Sequence, residues 1–130
     1  MTRILAVDDE PHILKLVSFS LSSRGYDVIE ATDGLSAIEV AEREQPDLIL
    51  MDVMMPLMNG YDACRKIKEN PSTRHIPVVM LSAKSQVSEQ SEGIQAGAVT
   101  YVTKPFTPKE LVSQVAGVLE DAGAAAGDGE

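Results

Sequence analysis

The stretch "DLILMDVMMP", residues 47–56, decides the reading of this chain. Four apolar residues, Leu48, Ile49, Leu50 and Met51, run straight into Asp52. The run has the length of a buried strand and is too short for a core helix. Aspartate is depleted in strands and is seldom buried without a partner. A carboxylate at the end of such a run therefore needs something to face it.

Four other short runs resemble it: "ILAV" (4–7), "DVIEA" (27–31), "VVML" (78–81) and "VTYV" (99–102). Near-continuous hydrophobicity suits parallel strands covered on both faces. Helical patterns lie between them. The first begins near Pro11 and stops at Gly25. Its expected buried stripe is Ile13, Val17 and Leu21, with Leu14 at the edge and Phe19 roughly 145° away. The second follows Asp33, a good N-cap, and carries Leu35, Ile38 and Ala41 on one face. The third follows Asn59-Gly60 and runs to about Glu69. The fourth, Ser85 to Ala96, is weakened by Gly93 and few apolar anchors. The fifth runs from Pro108 to about Asp121. Strand and helix alternate five times, which points to a parallel sheet with helices on both faces.

The 130 residues suggest one domain, spanning 1–121, with a small, Gly-rich tail (122–130) expected to fray. No linker to a second domain is evident. With 11 Lys and Arg against 20 Asp and Glu, the net charge is −9, which disfavours direct nucleic-acid binding. A single cysteine, Cys64, cannot form an intrachain disulfide and suits a reducing compartment. The N-terminal apolar run is too short for a signal peptide or membrane span, so a cytoplasmic location away from the membrane is expected. His12 and His75 have no evident partner. Met51, Met54, Met55 and Met58 are expected to fill packing gaps.

In open parallel sheets, sites form beyond the carboxyl ends of the strands, near the switch in strand order. Those ends carry Asp8 and Asp9, then Asp52, Ser82 and Lys104. With strand order 2-1-3-4-5, the three aspartates converge at the switch, flanked by Ser82 and Lys104. Clustered carboxylates repel one another unless a cation joins them. Mg²⁺ takes oxygen ligands and keeps room for phosphate oxygens. A cation, an ammonium and a hydroxyl together suit a phosphoryl group, and a carboxylate can be its acceptor.

"VDDE", "LILMDVMMPLMNG", "LSA" and "YVTKPF", in that order and spacing, resemble the response-regulator receiver domain of two-component signalling. The resemblance covers residues 3 to about 120. It implies an α/β, flavodoxin-like, doubly wound fold with five parallel strands in the order 2-1-3-4-5 and five helices. It implies Asp52 as the phosphoacceptor and Mg²⁺ as the cofactor. Asp9, Asp52 and the backbone carbonyl of Met54 would be the metal's protein ligands, with Asp8 in support. Ser82 and Lys104 would bind the phosphoryl oxygens, Tyr101 would be the switch aromatic, and the Lys104–Pro105 bond would be cis. Where many receivers carry an acidic pair, this chain has Val99 and Thr100.

The implied partners are a sensor histidine kinase or histidine phosphotransfer protein, a downstream effector protein, and a phosphorylation-dependent homodimer. Phe19 and Leu14 are the expected docking residues for the donor. The implied role is non-enzymatic, with at most self-phosphorylation from small donors and slow autodephosphorylation. A haloacid-dehalogenase-type phosphatase is the first alternative, but it usually has a second acid two residues on, where Met54 stands. A nucleotide or flavin module would need a Gly-rich first loop, and "DDEPH" has none. A third is a degenerate receiver used only as a docking surface, which the complete acid, hydroxyl and lysine set argues against, and a further alternative is a receiver fragment of a larger regulator with an output domain.

Overall fold

The computed structural model describes residues 2–83 and 94–128, with side chains to Ala122. The described strands are β1 (Arg3–Val7), β2 (Asp27–Ala31), β3 (Leu48–Asp52), β4 (Val78–Ala83) and β5 (Thr100–Lys104). The described helices are α1 (Pro11–Ser22), α2 (Gly34–Glu44), α3 (Gly60–Glu69) and α4 (Pro108–Asp128). The sheet is parallel throughout, in the order β2-β1-β3-β4-β5. Of the helix expected at Ser85 to Ala96, only residues 94–96 are described, and they are helical. The rest of it lies outside the described residues.

Side chains alternate faces along each strand. Leu5 and Val7 of β1, Ile49 and Met51 of β3, and Val78 and Met80 of β4 pack toward α2 and α3. Ile4 and Ala6, Leu48 and Leu50, and Val79 and Leu81 pack toward α1 and α4. β3 is the central strand and all five of its residues are buried. Each fully buried Leu or Ile there contributes about 1.5–3 kcal/mol. This two-sided burial is why the sequence reads as unbroken apolar runs.

The stripe of α1 differs from expectation. Leu14, Val17 and Leu21 form the buried set, while Ile13 is half-buried at the rim. Val17 and Leu21 are common to both sets, so exchanging Ile13 for Leu14 turns the centre of the stripe by only about 30°. Leu14 is only 7% exposed, so it is a core residue and not a docking residue. On α2 the buried residues are Gly34, Ala37, Val40 and Ala41, while Leu35 is exposed. Small residues lie against the sheet there, and the larger Leu35 is displaced to the rim. Of the four clustered methionines, Met51 is buried, Met55 and Met58 pack against the core, and Met54 is exposed.

Local signals at the helix starts hold well. Asp33 accepts a hydrogen bond from the Ser36 amide at 2.7 Å, and Asn59 accepts one from the Asp62 amide at 2.9 Å. α4 runs on past Asp121 to Asp128. The added segment "AGAAAGD" is rich in alanine, the best helix former, and contains no proline to stop it. Among the described residues, no helix is long and apolar enough to cross a membrane.

Candidate functional site

Asp8, Asp52 and Lys104 meet for a geometric reason. They follow the even-numbered register of β1, β3 and β5, whose side chains face α1 and α4. Each stands at the carboxyl end of its strand or one step beyond it. β1 and β3 are neighbours, and the long Lys104 side chain reaches them from β5, across β4. Lys104 Nζ donates to Asp8 Oδ2 at 2.9 Å and to Asp52 Oδ1 at 3.1 Å. The other oxygen of Asp8, Oδ1, accepts from the Glu10 amide at 2.9 Å, at the start of α1. Asp8 thus fixes both the lysine and the loop that leads into the helix.

Asp8 and Asp52 are buried, whereas Asp9 is exposed. One carboxylate oxygen of each of the three lies within 4.8 Å of the others. Burial pushes the Asp52 carboxyl up to about 6, and the charge of Asp8 adds to the effect. Lys104 opposes that shift. Burial works against the Lys104 ammonium, but its hydrogen bond to Asp8 and the charges of Asp52 and Asp8 raise its pKa above the ordinary lysine value.

Three ionised carboxylates and one ammonium would leave two net negative charges in this small space. Hard oxygen donors with uncompensated charge fit a divalent cation such as Mg²⁺. The donor set therefore accommodates the expected metal.

Ser82 is fully buried at the end of β4, one position past Leu81, which pairs with Asp52 across the sheet. Among the described residues its hydroxyl makes one long bond, 3.4 Å, to the Ala83 carbonyl. Tyr101 is half-buried on β5 and packs against the core on the α2–α3 side. The Lys104–Pro105 peptide is cis. The Met54 side chain projects into solvent from the loop after β3. Asp8, Asp9, Asp52 and Lys104 are thus brought together, Tyr101 lies on the other face of the sheet, and the two expected docking residues are on α1. Leu14 is in the core, and Phe19 lies on the exposed side of the helix, 75% accessible.

Two features of the site were not singled out from the sequence. Gly60 begins α3 directly against Asp52: a Cβ there would clash with the Asp52 carbonyl oxygen and lie 2.7 Å from the Met80 methyl. The Gly60 amide donates to the Val53 carbonyl at 2.8 Å, which closes the loop 53–60 beside the acceptor. In the sequence Asn59-Gly60 marks a helix start and closes the motif "LILMDVMMPLMNG", and nothing local in it foretells the contact. The second is Leu57, in the same loop, with a φ of 70°.

The family described as the response regulator receiver domain matches residues 4–116. Over 119 residues, the chain is 41% identical to the dual master transcriptional regulator RpaA of Synechocystis sp.. That alignment covers 92% of this chain and 49% of the relative. A crystal structure of a putative response regulator from Chloroflexus aurantiacus superposes with a TM-score of 0.88 at 34% identity, covering 92% of this chain and 98% of that one. The receiver domain of the sensor histidine kinase PA1611 from Pseudomonas aeruginosa, solved with a magnesium ion coordinated in its active-site cleft, gives a TM-score of 0.80 at 32% identity. It covers 92% of this chain and 95% of that one.

Fold and family agree, and the class is that of two-component phosphoacceptor signalling domains. The chain belongs to the response regulator receiver domain family, whose members are generally signalling modules without enzymatic turnover. Response regulators work with histidine kinases and with output effectors. The chain spans half or less of the length of the curated relatives it matches.

Proposed function

We propose that Asp52 accepts a phosphoryl group from a phosphohistidine on a histidine kinase or phosphotransfer protein. The observation that carries this reading is the contact of the buried Asp52 with Lys104 at 3.1 Å, inside a cluster of three carboxylates at the carboxyl edge of the sheet. An oxygen of Asp52 forms the new bond to phosphorus as the P–N bond breaks, and the donor imidazole leaves with the bonding pair. Mg²⁺, when bound, offsets the charge that carboxylates and phosphoryl oxygens bring together. Asp9, Asp52 and the Met54 carbonyl would hold it, with Asp8 in support. Lys104 neutralises one phosphoryl oxygen, and the Ser82 hydroxyl donates to another. Phosphohistidine and small acyl phosphates would both serve as donors.

The signal leaves through β4 and β5. Phosphorylation adds nearly two negative charges and three acceptor oxygens at Asp52. The Ser82 hydroxyl, which makes a long bond to the Ala83 carbonyl, turns to the new acceptor, and Tyr101 follows into the space behind it. An effector, or a second copy of the chain, reads the altered surface. Both conformations must lie close in energy for one phosphoryl group to choose between them.

The test is phosphorylation with acetyl phosphate, followed by intact mass and phosphate-affinity electrophoresis. Wild type gains one phosphoryl group only with Mg²⁺ present. Asp52→Asn gains none, and Asp9→Ala needs more metal. Ser82→Ala still takes the group but loses the accompanying shift in amide exchange. Full phosphorylation of Asp52→Asn would sink the site assignment.

A further inference from the structure

The loop after β3 holds an apolar side chain where the backbone least favours it. Leu57 sits at φ 70°, in the left-handed region, where a residue with a branched side chain is uncommon. The Met58 amide donates to the Pro56 carbonyl at 2.8 Å, across Leu57, so the turn there spans only three residues. Glycine would suit that backbone better. The side chain is not held there by packing: Leu57 is 79% exposed, the most exposed large apolar residue among those described. Neither the turn nor the core explains a leucine at this position. Strain kept at a site without a structural return points to function.

The loop that carries Leu57 begins and ends beside the acceptor. Its ends are tied by the Gly60–Val53 hydrogen bond, with Gly60 against the Asp52 carbonyl. Leu57 is three residues from Gly60, so the two Cα atoms lie within about 11 Å. Asp52 itself is only 4% exposed. A phosphoryl group carried on another protein can reach it only if that protein covers the rim of the site. Met54, also exposed and apolar, stands on the same loop.

We propose that Leu57 is a docking anchor for the phosphodonor protein: its exposed side chain, held outward by the loop 53–60 beside Asp52, is buried against an apolar spot next to the donor's phosphohistidine. The inference rests on the reading that Asp52 is the acceptor. An uncharged contact of this kind suits an acidic chain, since it adds no repulsion against the negative phosphoryl group it must admit. The shape of the loop decides how far the leucine projects, and the side chain decides which donors fit.

The experiment compares two donors on four proteins. The donors are acetyl phosphate and a phosphorylated histidine-kinase fragment selected for fast transfer to the wild-type chain. The proteins are wild type, Leu57→Gly, Leu57→Asn and Leu57→Met. Glycine and asparagine both tolerate the left-handed backbone but lack the apolar contact. Methionine keeps the contact. Folding is checked by far-UV circular dichroism and Tm. The ratio of kinase transfer to acetyl phosphate transfer should fall about tenfold in the Gly and Asn variants, as for loss of an interface anchor. It should stay near wild type in Leu57→Met. A ratio unchanged in the Gly and Asn variants overturns the inference. A wild-type chain that takes phosphate from neither donor overturns the reading beneath it.

Discussion

Gly60 starts its helix so close to Asp52 that there is no room for a side chain between them. The obstacle is the backbone carbonyl of Asp52, which cannot swing aside as a flexible side chain could. Gly60→Ala should therefore push α3 away from the strand end and cost about 1–3 kcal/mol. It should also slow phosphorylation, because Asp52 moves with its carbonyl. Gly117 offers the contrast. It is exposed on α4, and a Cβ there meets nothing within 4 Å. Gly117→Ala should stabilise by about 0.5–1 kcal/mol. Urea denaturation of both variants, with the phosphorylation rate of the first, checks the pair.

The crowding of carboxylates predicts a stability effect at Asp52. Its folded pKa of about 6 stands above the unfolded value near 3.8 because burial and Asp8 disfavour the charge. A raised pKa contributes stability that is present below the unfolded value and lost as pH rises through the folded one. In metal-free buffer at neutral pH, Asp52→Asn should thus be more stable than wild type by about 1–3 kcal/mol. The difference should shrink as pH falls from 6 toward 4. It should also shrink when Mg²⁺ is added, since only wild type keeps the full ligand set. Thermal melts across pH, with and without the metal, test this.

Cys64 lies on the buried face of α3, and its thiol donates a long hydrogen bond to the Ala96 carbonyl. Burial pushes the thiol up from 9.0 to about 11, partly countered by Lys68 and Arg65. At pH 8 it should react with a disulfide reagent only as fast as the protein opens, and at once in denaturant. The stability that this group contributes is lost as pH rises from about 9 through 11. Cys64→Ala should flatten that alkaline decline while costing stability at neutral pH through a small cavity.

Phe19 lines a groove between α1 and α4, together with the apolar Leu16, Pro108 and Val112 and the basic Arg24 and Lys109. Phe19→Ser should change stability by less than about 0.5 kcal/mol, because the ring is already in solvent. It should slow phosphotransfer from a protein donor but not from acetyl phosphate. Equal rates from the protein donor in variant and wild type would remove Phe19 from the docking surface.

The sequence by itself determined the layers and the polar residues at the strand ends. Short apolar runs, a proline or Asx residue at the helix starts, and polar residues at the strand ends are local signals, and each marks what its own segment must do. Asp8, Asp9, Asp52, Ser82 and Lys104 were legible because strand-end positions in a parallel sheet share one edge. What depends on distant segments was not legible. Whether Ile13 or Leu14 faces the core depends on how α1 is rotated against the sheet, and the repeat alone leaves that open by a residue. The need for glycine at position 60 arises from the approach of α3 to Asp52, and the left-handed Leu57 from the closing of that loop. Lys104 shares its charge between Asp8 and Asp52 because β1, β3 and β5 converge on one edge from positions far apart in the chain. Pattern fixes which face a strand residue takes. Only the packing of one element against another decides which atoms touch.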